Sequence, residues 1–298
     1  MSGEGFPNAY RGRIAPSPTG LLHLGHAQTF WTAWVRSQAA SGVLILRNED
    51  LDRDRACLKF AEAQRRDLAW LGIRWDEGPD LEGPVGPYSQ SQRLGLYQSV
   101  YRQLQSTGHL FPCTCSRRDI ASAIAAPHAL DEEPIYSGRC RQRSPTDAVG
   151  LGSKSLQTAW RFRVPEGEEV IFEDALMGRQ SWVAGRDFGD FVVMRHDGVP
   201  AYQLACVADD HAMGITEVVR GADLLVSTAR QILLYRVLGW KPPQFAHCPL
   251  VTDAQGVRLA KRNGALSLET FRGQGWTPER LRAIWSKSTE GYGLSIKP

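Results

Sequence analysis

The chain has 298 residues, 42% of them hydrophobic and 22% charged, which excludes the disordered and fibrous classes and leaves room for a sizeable core. Its length suits about two domains, and 35 Lys+Arg against 32 Asp+Glu give a net charge of only +3, so any surface for a polyanion has to be local. No basic segment followed by an apolar run opens the sequence, and no stretch approaches about 18 apolar residues, so a cytoplasmic chain with no membrane contact is expected.

In chain order, Arg11 to Ile14 predicts a short strand running into Pro16-Ser17-Pro18-Thr19-Gly20, where the prolines cannot continue a ladder. A helix is expected from about Gly25 to Ala39, ending before Gly42, followed by Val43-Leu44-Ile45-Leu46, the continuous apolar run of a buried parallel strand. Leu94, Tyr97, Val100, Tyr101 and Leu104 recur at helical spacing, and Gly108 is placed to end that helix. Between about Phe111 and Asp187, cysteines, prolines and short segments such as Trp160 to Val164 replace the longer patterns, which suggests an insertion. The α/β pattern is expected to return with a strand over Phe191 to His196, an Asp197-Gly198 hairpin turn and a second strand near Val218-Val219, the two halves forming one sheet. Thr228 with Gln231 suggests a capping box for a helix through Leu238, stopped by Gly239.

Two segments carry chemistry by residue type alone. In Arg13-Ile14-Ala15-Pro16-Ser17-Pro18-Thr19-Gly20-Leu21-Leu22-His23-Leu24-Gly25-His26, a strand-to-helix turn offers backbone N–H groups to phosphate. Gly25 would let a flat base approach the backbone, and two histidines three apart share one side, with imidazoles suited to phosphate oxygens. The bland alternative is a Pro-rich turn with two capping or surface histidines. Cys113-Thr114-Cys115 and Tyr136-Ser137-Gly138-Arg139-Cys140 bring three thiols and a potential oxygen ligand, enough for a tetrahedral structural zinc site; the alternative is reduced buried thiols. Cys57, Cys206 and Cys248 stand apart and are expected to be small buried residues.

The first segment resembles the HIGH signature of class I aminoacyl-tRNA synthetases, here His23-Leu24-Gly25-His26, in the form of the glutamyl and glutaminyl branch. The resemblance continues in order through Arg47-Asn48-Glu49-Asp50-Leu51-Asp52, Tyr202-Gln203-Leu204-Ala205, Val207-Ala208-Asp209-Asp210-His211 and Val219-Arg220-Gly221-Ala222-Asp223-Leu224. It ends at Arg258-Leu259-Ala260-Lys261-Arg262, which resembles the KMSKS loop with Arg258 for its first lysine and Ala260 for its serine. This implies a class I synthetase α/β fold in which a Rossmann-type parallel sheet is split by an inserted zinc-bearing, acceptor-like domain, with a short C-terminal helical segment. The expected units are 1–110 and 188–245 for the two catalytic halves, 111–187 for the insertion, and 246–298 for the KMSKS-like loop and terminal helices.

By the same resemblance His23, His26 and Lys261 are expected to be catalytic, and His23, Gly25, His26, Arg258 and Lys261 to bind ATP with its Mg²⁺. Arg13, Ile14, Ala15, Pro16, Ser17, Glu49, Tyr202 and Arg220 are expected around L-glutamate, with Glu49 on its amino group. Cys113, Cys115, Cys140 and, as an unusual fourth ligand, Tyr136 resemble the zinc site of the glutamyl-Q tRNA(Asp) synthetases. Only 36 residues follow Arg262, so a helical anticodon-binding region is not expected. The resemblance thus implies a monomer that activates glutamate without tRNA and transfers it to the cyclopentene diol of queuosine in tRNA(Asp). From Arg258 onward eight Lys/Arg stand against three Asp/Glu, suited to a phosphate-contacting strip. The rival readings are a shortened glutamyl-tRNA synthetase charging tRNA(Glu), a non-enzymatic zinc and RNA-binding relative, and a small-metabolite adenylyltransferase.

Overall fold

The computed structural model describes residues 9–115, 135–144, 158–251 and 267–289. Strand β1 (Arg11–Ile14) pairs in parallel with β2 (Val43–Leu46), Arg11 opposite Val43 and Ile14 opposite Leu46, and helix α1 (Leu24–Ala39) makes the crossover. Leu24, Ala27, Phe30, Trp31 and Ala33 recur at helical spacing and are buried, which lays α1 on the sheet. Gly42 is required where the chain leaves α1, because a Cβ there would stand 2.5 Å from the backbone oxygen of Tyr10, the acceptor for Val43 N at 2.9 Å.

Helix α2 (Leu58–Trp70) follows β2, and α3 (Leu94–Ser106) buries Tyr97, Val100 and Leu104 on the expected face, with Gly108 at φ 75° beyond it. Strands β3 (Leu110–Cys113), β4 (Ala159–Phe162) and β7 (Phe191–Met194) form a separate antiparallel sheet in the order β3-β4-β7, with Pro112 tolerated on its edge strand. Between β4 and β7 the hairpin β5 (Glu169–Asp174) and β6 (Gly178–Val183) joins a different sheet. Helix α4 (Tyr202–Ala212) leads to β8 (Glu217–Gly221), then α5 (Leu225–Leu238) and β9 (Gln244–Cys248). The hairpin sits on β9 through Asp174 and Phe245, giving the order β6-β5-β9-β8. This block meets β1 beside β8, where Thr216 N donates to Arg11 O at 2.9 Å. Short α6 (Leu268–Gly273) and α7 (Pro278–Thr289) close the described chain, with Leu281 and Trp285 buried in the α1 core.

Four expectations change. Residues 169–183 lie inside the expected 111–187 insertion but pair with β9, because Asp174 caps the backbone of His247 across the sheet at 3.0 Å. The strand at Phe191 stops at Met194 and pairs with β4, so of the later half only β8 and β9 align with β1 and β2. Thr228 is not a cap: α5 already starts at Leu225, and the Thr228 hydroxyl is buried against Leu224 O, Arg220 and His247. Gly239 does end the helix in the left-handed conformation, φ 69°. Cys57 is exposed at the start of α2, whereas Cys206 and Cys248 are buried as expected. No helix among the described residues is long and apolar enough to cross a membrane.

Gly42→Ala is expected to destabilise the fold by about 1–3 kcal/mol, since the nearest contact, at 2.5 Å, is with a backbone oxygen that cannot turn aside and the Tyr10 side chain crowds the same space. Urea unfolding measures it, and an unchanged midpoint contradicts the close approach.

Candidate active site

The parallel strands place the site. From β1 the chain crosses to β2 on one side, and from β8 it crosses to β9 on the other, so the carboxyl ends of β1 and β8 flank a point where the winding reverses. Ligand crevices of open α/β sheets form at such points.

On one side of it stands the start of α1. The His23 Nδ1 accepts from Gly25 N at 3.2 Å, His26 Nδ1 accepts from His23 N at 3.3 Å, and the rings stack at 3.7 Å. With both Nδ1 atoms acting as acceptors, a neutral ring carries its proton on Nε2 in each case. A Cβ on Gly25 would come within 3.2 Å of the His23 ring, so the glycine also leaves space for the stack. Ser267 bridges to His23, and Leu268 N donates to Leu22 O at 2.8 Å; the chain therefore returns to this histidine six residues after Lys261. Arg258, Ala260, Lys261 and Arg262 lie outside the described residues.

On the other side stands a buried charge network. Arg47, just past β2, is fully buried and reaches Asp210 at 2.6 Å, Glu49 at 3.0 Å and Asp209 at 3.7 Å. Asp209 also accepts from Arg93 at 2.7 Å, Gln90 at 2.9 Å and the Tyr97 hydroxyl. Arg13 donates from Nη1 to Val219 O at 2.9 Å and has Nε 3.5 Å from Asp210. Burial holds the Glu49 carboxyl above its usual range against the pull of Arg47 and Arg13, while Asp210 is held below its own, the two arginines outweighing burial. The Tyr202 hydroxyl is pushed well up, by burial first, and senses Cys206, Arg220, Glu49 and Arg13.

Arg13, Glu49, Tyr202 and Arg220 are therefore brought together. Ile14, Ala15, Pro16 and Ser17 line the exit of β1 in another way: the Ile14 side chain is core, and the carbonyls of Ile14 and Pro16 accept from Arg47 N and Glu49 N. Ser17 is exposed, and its carbonyl accepts from Gln64 Nε2 at 2.9 Å. The sequence places none of four further residues at this site: His247 and Thr228, which hold Arg220, Asp174, which holds His247, and Cys206, whose thiol lies 3.6 Å from Glu49. The available signal was the need of a buried arginine for acceptors.

A second cluster lies at the end of β3. The sulfurs of Cys113, Cys115 and Cys140 lie within 4.8 Å of one another and could hold a metal ion. The Tyr136 hydroxyl is 3.5 Å from Cys113 and 3.4 Å from Cys115, and it accepts from Cys140 N at 2.9 Å. Arg161, also absent from the sequence reading, donates to the Cys113 sulfur and lies over the Tyr136 ring at 4.1 Å. Burial pushes the Cys115 thiol up to about 11; Cys140 is lowered to about 7 because hydrogen bonds, led by the Thr114 backbone, outweigh burial.

Residues 9–288 match the family described as tRNA synthetases class I (E and Q), catalytic domain. The chain belongs to this family. It is 49% identical over 271 residues to a glutamyl-Q tRNA(Asp) synthetase of Symbiobacterium thermophilum, covering 91% of this chain and 83% of that protein. A glutamyl-Q tRNA(Asp) synthetase of Nitratidesulfovibrio vulgaris is 46% identical, covering 89% and 82%. The crystal structure of a glutamate tRNA ligase from Elizabethkingia meningosepticum in complex with its amino acid superposes with a TM-score of 0.73 at 30% identity. That alignment covers 90% of this chain and 54% of the ligase. The fold is thus the catalytic α/β fold of the class I synthetases, with the mixed sheets described above.

In this synthetase site His247 gives a pH signature. Burial lowers its pKa from 6.5 to about 4, with Arg220 and Arg13 adding to the effect and Asp174 opposing it. A depressed folded-state pKa means that the unfolded chain takes up the proton first, so this stabilisation is full above pH 6.5 and drains away as pH falls toward 4. The loss is expected to be on the order of 3 kcal/mol. His247→Gln should lack this part of the pH dependence in chemical unfolding between pH 7 and 4; identical slopes for the two proteins would refute the assignment.

Proposed function

We propose that the chain activates L-glutamate with ATP, without tRNA, and transfers the glutamyl group to the cyclopentene diol of queuosine in the anticodon loop of tRNA(Asp). The observation that carries the glutamate half is Arg220: nearly fully buried, held through Nε and Nη2, with Nη1 unpartnered, and within electrostatic reach of Tyr202 opposite Glu49. A buried guanidinium with open N–H groups suits a carboxylate. Glu49 supplies the complementary half. Burial holds its carboxyl above the usual range although Arg47 and Arg13 oppose this, so an α-ammonium beside it would favour the ionised form.

In the first step an α-carboxylate oxygen of glutamate bonds to the α-phosphorus of Mg²⁺-ATP as the bond to pyrophosphate breaks. The Nε2–H groups of His23 and His26 serve as donors to phosphate oxygens at the start of α1, where the helix dipole acts in the same sense. Lys261 is assigned to the same phosphates, supported by the return of the chain to His23 at Ser267. In the second step a queuosine hydroxyl attacks the glutamyl carbonyl and AMP leaves. The choice of queuosine rests on the two similar glutamyl-Q tRNA(Asp) synthetases and the extent of their overlap with this chain.

Zinc is assigned to the cysteine cluster, within the segment read as a zinc-bearing insertion. A tetrahedral ion with Zn–S of about 2.3 Å sets sulfurs about 3.8 Å apart and a ligand oxygen about 3.5 Å from each sulfur. Cys115 and Cys140 are 3.8 Å apart, and the Tyr136 oxygen matches the second spacing. Bound there, zinc would be a structural cross-link between β3 and residues 135–144, held by Cys113, Cys115, Cys140 and Tyr136.

Radiolabelled glutamate is expected to be incorporated into tRNA(Asp) containing queuosine, with none into tRNA(Asp) lacking it or into tRNA(Glu). Incorporation indifferent to queuosine refutes the acceptor, and absence of glutamate-dependent ATP–pyrophosphate exchange refutes the activation step. Metal analysis of the purified protein should find about one zinc per chain, lost in Cys140→Ala together with a lower thermal midpoint. Full zinc content in that variant would overturn the ligand set.

A further inference from the structure

Arg220 is gripped along one edge. Its Nε donates to His247 Nε2 at 3.1 Å and its Nη2 to the Thr228 hydroxyl at 2.6 Å, while Nη1 is buried with no partner. A guanidinium has two usable forks, one made by Nε with Nη2 and one by Nη1 with Nη2. His247 and Thr228 occupy the first, so the second is the one that points away from them.

What fixes His247 is Asp174. Its Oδ2 lies 2.5 Å from His247 Nδ1, and Oδ1 accepts from the backbone N–H groups of His247, Leu176 and Met177 at 2.9–3.0 Å. A carboxylate in that cradle only accepts, so the imidazole proton must sit on Nδ1 and the lone pair on Nε2. That lone pair is what Arg220 Nε needs. His247 and Asp174 are wholly or almost wholly buried, and none of the three partners is adjacent to Arg220 in sequence.

We infer that His247, with Asp174 behind it and Thr228 beside it, is a positioning residue that presents the Nη1/Nη2 end of Arg220 to a carboxylate of the amino-acid substrate. This deepens the proposed function and rests on its assignment of Arg220. Without the grip the guanidinium can turn its other fork to the crevice, and the substrate meets a cation of the right charge in the wrong geometry.

Glutamate-dependent ATP–pyrophosphate exchange tests this with KM measured separately for each substrate. His247→Leu removes both the acceptor and the donor, and is expected to raise KM for glutamate about 10-fold or more with KM for ATP unchanged. His247→Gln keeps one donor and one acceptor, and should recover most of the affinity. Thr228→Val, nearly isosteric, should raise KM for glutamate by a smaller factor, and it decides the matter if His247→Leu does not fold. An unchanged glutamate KM in the folded variants, or equal changes for glutamate and ATP, would overturn the inference. Arg220→Lys separates the two layers. If it leaves glutamate KM unaltered, the glutamate assignment of Arg220 itself fails. If it raises KM while the His247 and Thr228 variants do not, only the positioning role falls.

Discussion

A single buried cation orders the active-site side of this protein. Arg47 has no exposed surface, and an unpaired charge in such a place is untenable, so three carboxylates from two elements must converge on it. Glu49 comes from the loop after β2, and Asp209 and Asp210 come from the last turn of α4. The demand spreads outward, because Asp209 in turn binds Arg93 and Tyr97 of the α3 region while Asp210 draws in Arg13 from β1. Satisfying one guanidinium thus sets the positions of β1, β2, α3 and α4 relative to one another. Removing one member of such a buried set typically costs about 3–5 kcal/mol, which is more than most single contacts supply.

The same region sets charges of both signs side by side. Beside Glu49 stand Arg13, held by the Val219 carbonyl with Asp210 nearby, and Arg220, held by a hydroxyl and an imidazole. Neutral acceptors fix an arginine without cancelling its charge. Glu49 on the loop after β2 and Arg13 and Arg220 on strands β1 and β8 thus bring one anionic and two cationic groups within electrostatic reach of the Tyr202 hydroxyl.

Local signals made much of this legible from the sequence. The apolar run Val43–Leu46, the spacing of Leu94, Tyr97, Val100 and Leu104, and the placement of Gly239 each encode an element within a few residues, and the elements appear there. The segment from Arg13 to His26 and the stretch Arg47–Asp52 could be read because their functional groups are neighbours in sequence. The grip on Arg220 could not be read this way. Asp174 and His247 are 73 residues apart, each resembles an ordinary strand residue, and their meeting depends on the β5–β9 pairing. Thr228 resembles a cap for a related reason: a hydroxyl near a helix start suits a cap as well as it suits a buried acceptor, and only tertiary contact distinguishes the two.

The paired imidazoles at the start of α1 have a chemical consequence. Each uses its Nδ1 lone pair to receive a backbone N–H at the start of the helix. With Nδ1 engaged on the backbone, whatever these rings offer a ligand is offered from the Nε2 edge, in an orientation that the helix itself fixes.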